Sequence, residues 1–226
     1  MLRDLLNLFF PHYCLACSKV LAAGETWLCT GCLYDLPQTN YHQEPDNLVA
    51  QRLSGRLPVQ YAMALYKFQK LGKVQRLLHH LKYKDKPEIG KVLGHRYGIL
   101  MKEANLNATF DLIVPVPLHS HRLWQRGYNQ SDFFAQGLSE SLHIPWSNQH
   151  LKRISGARTQ TNESKLGRFQ RVENAFCVTD VSSILDQHLL LVDDIITTGA
   201  TLEACGRALL AAGIQKLSVA TIAMAE

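Results

Sequence analysis

The chain has no long hydrophobic run, no low-complexity tract, no internal repeat and no strong excess of either charge. A membrane-spanning helix needs about 18–20 consecutive apolar residues, so no integral membrane segment is expected. The stretch LLNLFF (residues 5–10) is shorter than the roughly 7–15 residues of a secretory signal core and runs into Pro11. A cytoplasmic location is therefore expected. Aromatic residues are scarce at 8%, yet 46% hydrophobic residues with 19% charged ones exclude a disordered acidic or polyampholyte chain. At 226 residues there is room for one ordinary domain and a small appendage, or for two small domains.

Cysteine is sparse too, but four of the six fall in one pattern, C-x2-C-x11-C-x2-C, at Cys14, Cys17, Cys29 and Cys32. In a reducing compartment this spacing favours a metal over disulfides. Each CxxC knuckle converges two thiolates, and two knuckles supply the four sulfurs of a tetrahedral Zn2+ site. A segment of about 40 residues buries too little apolar surface to fold unaided, and structural zinc offsets that deficit. Four protein ligands leave no open position, so the expected role is structural. A redox CxxC is the rival reading, although such pairs usually come singly. Cys177 and Cys205 have apolar neighbours and read as core residues.

After a polar, proline-bearing stretch that reads as a linker (residues 35–47), strand and helix signals alternate. Residues 61–68 predict a strand, 74–81 and 87–104 helices, and 111–117 a buried strand leading into a proline-rich loop. Residues 131–142 predict a helix with Ser131 as its cap, 189–193 an apolar strand, 202–212 a helix closed by Gly213, and 217–224 a last strand. Such alternation argues for an α/β domain with a parallel sheet.

The most informative stretch is VDDIITTGAT (residues 192–201). Ligands of open α/β sheets sit beyond the carboxyl ends of the strands. Here a buried strand delivers Asp193 and Asp194 to that edge. The loop Thr197, Thr198, Gly199, Ala200 and Thr201 follows and runs into a helix, so that amides, hydroxyls and the helix dipole can meet an anion. The carboxylates would repel that anion and instead suit a polyol or a metal. A second stretch, VPVPLHSHRLWQRGYNQS (residues 114–131), leaves another buried strand. Its Arg122 and Arg126 offer forked donors for phosphate oxygens. A third, from Arg158, Thr159 and Gln160 through Arg168, Arg171, Asn174 and Phe176, is a candidate flap.

The acidic pair with its threonine-glycine loop resembles the phosphoribosyl-pyrophosphate (PRPP) motif of type I phosphoribosyltransferases. Together with the four cysteines, the VPVP…RGYNQS run and the flap segment, in this order, it resembles the ComF family across almost the whole chain. The resemblance implies a type I phosphoribosyltransferase-like α/β fold, a parallel sheet flanked by helices and preceded by a small four-cysteine zinc ribbon. The implied boundaries are 1–45 for an N-terminal helix and zinc ribbon and 46–226 for the phosphoribosyltransferase-like domain. Asp193 and Asp194 would take the ribose hydroxyls, residues 197–201 the 5′-phosphate, and Arg122 and Arg126 the pyrophosphate, with Mg2+ accompanying PRPP. The implied function is in natural transformation: a competence-associated protein that handles or translocates incoming single-stranded DNA, with the DNA-translocation machinery of the inner membrane as a partner. The alternative is an active transferase displacing pyrophosphate from PRPP onto an unidentified acceptor. No residue stands out as a general base.

Residues 67–102 carry ten Lys or Arg against only Asp85 and Glu88. That stripe, with Tyr66, Phe68 and Tyr83, could track a phosphate backbone and stack bases; solvated amphipathic helices are the plainer reading. His79, His80, His119 and His121 have no acid at ligand spacing and read as exposed.

Overall fold

The computed structural model describes residues 11–83, 86–154 and 175–225. Four strands form a parallel sheet in the order β1–β6–β5–β2: β1 is Ala62–Phe68, β2 Leu112–Pro115, β5 His188–Ile196 and β6 Lys216–Ala225. Alternate residues of these strands feed opposite faces, as the two-residue period of a strand requires. Met63, Leu65, Leu190 and Val192 join one core, whereas Ala62, Ala64, Leu189 and Leu191 join the other. Both faces are covered, which explains strands that are apolar throughout.

One face carries α3 (Lys73–Tyr83), α4 (Glu88–Glu103) and α6 (Gln130–Leu142). The other carries α2 (Leu48–Leu53) and α7 (Ala200–Ala211). Helices α4 and α6 cross at two glycines. A Cβ on Gly94 would lie 2.2 Å from the Phe134 carbonyl oxygen, and one on Gly137 would lie 2.1 Å from that of Lys91. Apart from the main sheet, β3 (Leu151–Arg153) pairs antiparallel with β4 (Phe176–Val178). The flap residues Arg158 through Asn174 lie outside the described residues, as do residues 1–10 at the start of the segment expected to hold the N-terminal helix.

The structure differs from the sequence reading in three places that matter for the site. Residues 37–39 are not a linker. They run antiparallel along β1, with Lys67 N donating to Pro37 O at 2.9 Å and Thr39 N to Leu65 O at 3.1 Å. An open edge would leave those groups unpaired. Second, the proline-rich loop contains a helix, α5 (Ser120–Arg126). His119 caps it by accepting from the His121 amide, and Gly127 closes it at φ +76°. Third, α6 is capped by Asn129 rather than Ser131, which leaves Ser131 free for another role.

The cysteine unit, with its short helix α1 (Thr30–Asp35), is not separate from the main core. Cys14, Ala16, Leu28, Cys32 and Leu36 are buried within the same apolar cluster as α3 and α4. Arg96 also donates to Leu33 O at 2.8 Å.

Candidate functional site

Strands β5 and β2 are neighbours, so the chain segments leaving their carboxyl ends face one another. Between them opens a cleft of about 630 Å³. It is lined by Asp193, Asp194, Thr197 and Thr201 from the β5 side and by Arg122 and Arg126 from α5. Motifs about 70 residues apart in the chain thus share one cavity. Thr198 is exposed, Gly199 takes φ +80°, a left-handed conformation that favours glycine, and Ala200 opens α7.

The two aspartates differ. Asp194 is 8% exposed, and its Oδ2 lies 2.8 Å from the Nζ of Lys82, the penultimate residue of α3. Asp193 Oδ1 accepts from the Ser131 hydroxyl at 3.0 Å and from the Asp194 amide at 2.8 Å. Burial, and then the charge of Asp194 beside it, push the Asp193 carboxyl up to about 7.

Behind the loop stand two arginines. Arg52 Nη1 donates to Thr197 O at 2.5 Å and to Ala225 O at 2.5 Å. Arg56 Nη1 donates to Thr198 O at 2.7 Å, while its Nε and Nη2 reach Glu203 Oε2 at 2.9 and 2.5 Å. At the mouth, the Arg126 guanidinium sits 4.9 Å from the Tyr83 ring centroid, and Arg153 lines the cleft while resting 5.2 Å over Phe176. Trp124 on α5 is 84% exposed.

Sequence reasoning missed Lys82, Ser131, Arg153, Arg52 and Arg56. Lys82 looked like one more charge on a solvated helix face, and Ser131 like a cap. Gly127 two residues ahead of Asn129 was a usable signal that one helix ends and another is capped there. The basic stripe is not one continuous free groove. Lys73 pairs with Asp35, Lys91 with Glu140 at 2.6 Å, and Lys82 turns into the cleft. Tyr66 is fully buried and Phe68 half-buried, so neither offers an open stacking face; Tyr83 is exposed. His79, His119 and His121 are exposed as expected, whereas His80 is half-buried. Cys205 is buried and Cys177 half-buried.

The sulfurs of Cys14, Cys17, Cys29 and Cys32 all lie within 4.8 Å of one another, and those of Cys17 and Cys29 are 3.7 Å apart. A tetrahedron with Zn–S bonds of about 2.3 Å separates its sulfurs by about 3.8 Å, so the donor set fits zinc. The Cys29 and Cys32 amides donate to Cys14 Sγ and Cys29 Sγ at 3.3 and 3.4 Å, the backbone support such knuckles need. Among the described residues no helix is long and apolar enough to cross a membrane.

The parallel sheet with its acidic strand end and threonine-glycine loop defines a type I phosphoribosyltransferase fold. Residues 83–225 match the phosphoribosyl transferase domain, and the chain belongs to that family. Within it the chain is a member of the ComF group. It is 29% identical over 227 residues to competence protein F of Haemophilus influenzae, covering 96% of this chain and 99% of that one. It is 30% identical over 209 residues to the DNA utilization protein YhgH of Escherichia coli K12, covering 91% and 87%. Among solved structures it is similar to the allosteric regulatory enzyme of purine biosynthesis, with a TM-score of 0.45 and 20% identity over 64% of this chain and 30% of that longer one.

Proposed function

We propose that the cleft binds PRPP and that the protein couples this ligand to the handling of incoming single-stranded DNA during natural transformation. The observation that carries the reading is one cavity walled on one side by Asp193, Asp194, Thr197 and Thr201 and on the other by Arg122 and Arg126. Asp193 and Asp194 accept the ribose hydroxyls. The amides and hydroxyls of Thr197, Thr198, Gly199, Ala200 and Thr201, at the start of α7, hold the 5′-phosphate. Arg122, Arg126 and Lys82 face the pyrophosphate, each charge-assisted hydrogen bond contributing roughly 1.5–3 kcal/mol. The carboxylate oxygens of Asp193 and Asp194 are hard donors that would suit Mg2+, which would supply positive charge to offset the anionic ligand. Zn2+ on Cys14, Cys17, Cys29 and Cys32 is structural in this reading.

The names of the two relatives support the DNA role. In the cleft lining, the exposed Tyr83 with Arg126 against its ring offers an aromatic face beside a cation, the combination that holds single strands without sequence preference. The location in this reading is the cytoplasm, next to the translocation machinery of the inner membrane. Turnover is a separate matter, because fold and binding motif do not establish it. In a transferase, an acceptor nucleophile would bond to C1 of the ribose as the C1–O bond breaks and its electron pair leaves on pyrophosphate.

The test is calorimetric titration of the intact protein with PRPP, with and without Mg2+, followed by a screen for pyrophosphate release. Saturable Mg2+-dependent binding supports the reading, and pyrophosphate release on adding an acceptor would make the protein a transferase. Absence of binding with and without Mg2+ refutes it.

A further inference from the structure

We infer that Arg52 and Arg56 are positioning residues for the anion loop: they turn the Thr198 and Gly199 amides toward the cleft. This rests on the phosphate-loop reading above and adds residues that precede the matched domain, which begins at residue 83.

The geometry follows from the peptide unit. In a trans peptide the C=O and the next residue's N–H point in opposite directions. Arg52 binds the Thr197 carbonyl, which shares its peptide plane with the Thr198 amide. Arg56 binds the Thr198 carbonyl, which shares its plane with the Gly199 amide. Each guanidinium therefore fixes one plane and aims one N–H away from itself. Neither arginine lines the cleft, whereas Thr197 and Thr201 do. The backing is close-fitting, since a Cβ on Gly199 would meet Leu53 Cδ2 at 3.0 Å and Arg56 Nη1 at 3.7 Å.

Both arginines are held at a second point, which makes them a brace rather than loose cations. Arg52 is tied to the end of β6 through Ala225 O, and Arg56 to α7 through two bonds to Glu203. Two positive charges behind the loop also polarise its peptide units and strengthen their N–H groups as donors. A purely structural role would lower stability without a selective effect on the loop.

The experiment compares the native chain with Arg52→Met, Arg56→Met, the double variant and Arg56→Lys. Arg207→Met is the control, because Arg207 bonds Glu203 Oε1 at 3.1 Å and does not touch the loop. Backbone 15N relaxation is read at Thr198 and Gly199 in the free protein, together with melting temperature and affinity for PRPP and ribose 5-phosphate. The native loop is expected to be rigid, with order parameters of about 0.85 that fall below about 0.6 in the double variant. Each single Met variant is expected to lose roughly tenfold in affinity, with Arg56→Lys recovering part of it and Arg207→Met unchanged. Unchanged order parameters in the double variant would overturn the inference. So would an affinity loss that tracks melting temperature equally in the Arg207→Met control. Should the native chain bind neither ligand while the loop loosens as expected, the brace stands and the PRPP reading falls.

Discussion

The ammonium of Lys82 lies 2.8 Å from the Asp194 carboxylate, joining the last turn of α3 to the end of β5 across the floor of the cleft. Their side chains are only 22% and 11% exposed, so the pair is screened by water far less than a surface bridge. It gives the acidic strand end a resident cation and brings one of the stripe's lysines inside the site.

Replacing Lys82 by Met leaves Asp194 unpaired in a half-dry cleft. The variant is expected to lose about 1–3 kcal/mol of stability in urea unfolding. PRPP affinity should drop by about tenfold, since an anion loses one facing cation. A variant as stable as the native chain would mean the ion pair contributes nothing to the fold.

Asp193 sets a pH dependence whose sign is fixed by the direction of its shift. The folded carboxyl holds its proton up to about 7, whereas the unfolded chain releases it near 3.8. Between those values the folded state binds more protons, so this residue's contribution to stability falls as pH rises from about 4 to 7 and is level above. Asp193→Asn removes that slope. The free variant should be more stable by on the order of 1–3 kcal/mol at pH 8, while PRPP binding weakens. In the native protein PRPP affinity should rise through pH 7 as the carboxylate forms. Thermal melts and titrations at pH 5 and 8 decide this; an identical pH profile for both proteins would contradict it.

The crossing of α4 and α6 allows a prediction that leaves the ligand residues untouched. Gly94→Ala or Gly137→Ala puts a methyl about 2 Å from a facing backbone oxygen. The helices must part, at an expected cost of about 3 kcal/mol or more. A melting temperature within a degree of the native value would show that the crossing is not tight.

Metal analysis of the purified chain should find one zinc per molecule. Removal by a chelator, or Cys17→Ala, should speed amide exchange across residues 12–36 while β5 amides keep their protection. Because Cys14 and Cys32 belong to the core shared with α3 and α4, melting temperature should fall as well. Full retention of the melting temperature on metal loss would refute a structural role.

Much of the sheet was legible in the sequence because its strands are apolar runs bounded by turns and its helices have long apolar faces. Helix α5 was not: seven residues with no buried side chain carry no amphipathic signal, and only the histidine cap and Gly127 mark it. Tyr66 illustrates the opposite failure. An aromatic beside lysines looked like a base-stacking face, yet its ring is buried in the apolar cluster that α3 and α4 share.

What the sequence by itself determined is the chemistry written in contiguous residues: four cysteines at knuckle spacing, two aspartates at a strand end and a threonine-glycine loop opening a helix. These signals survive in one dimension because each depends on neighbours a few residues away. Tertiary structure alone decided which distant groups complete the site. Lys82 comes from one helix, Ser131 from another, and Arg52 and Arg56 from a segment about 145 residues before the loop they hold. Their side chains obey no local period, because their partners are backbone and carboxylate atoms brought near only when β5 pairs between β6 and β2.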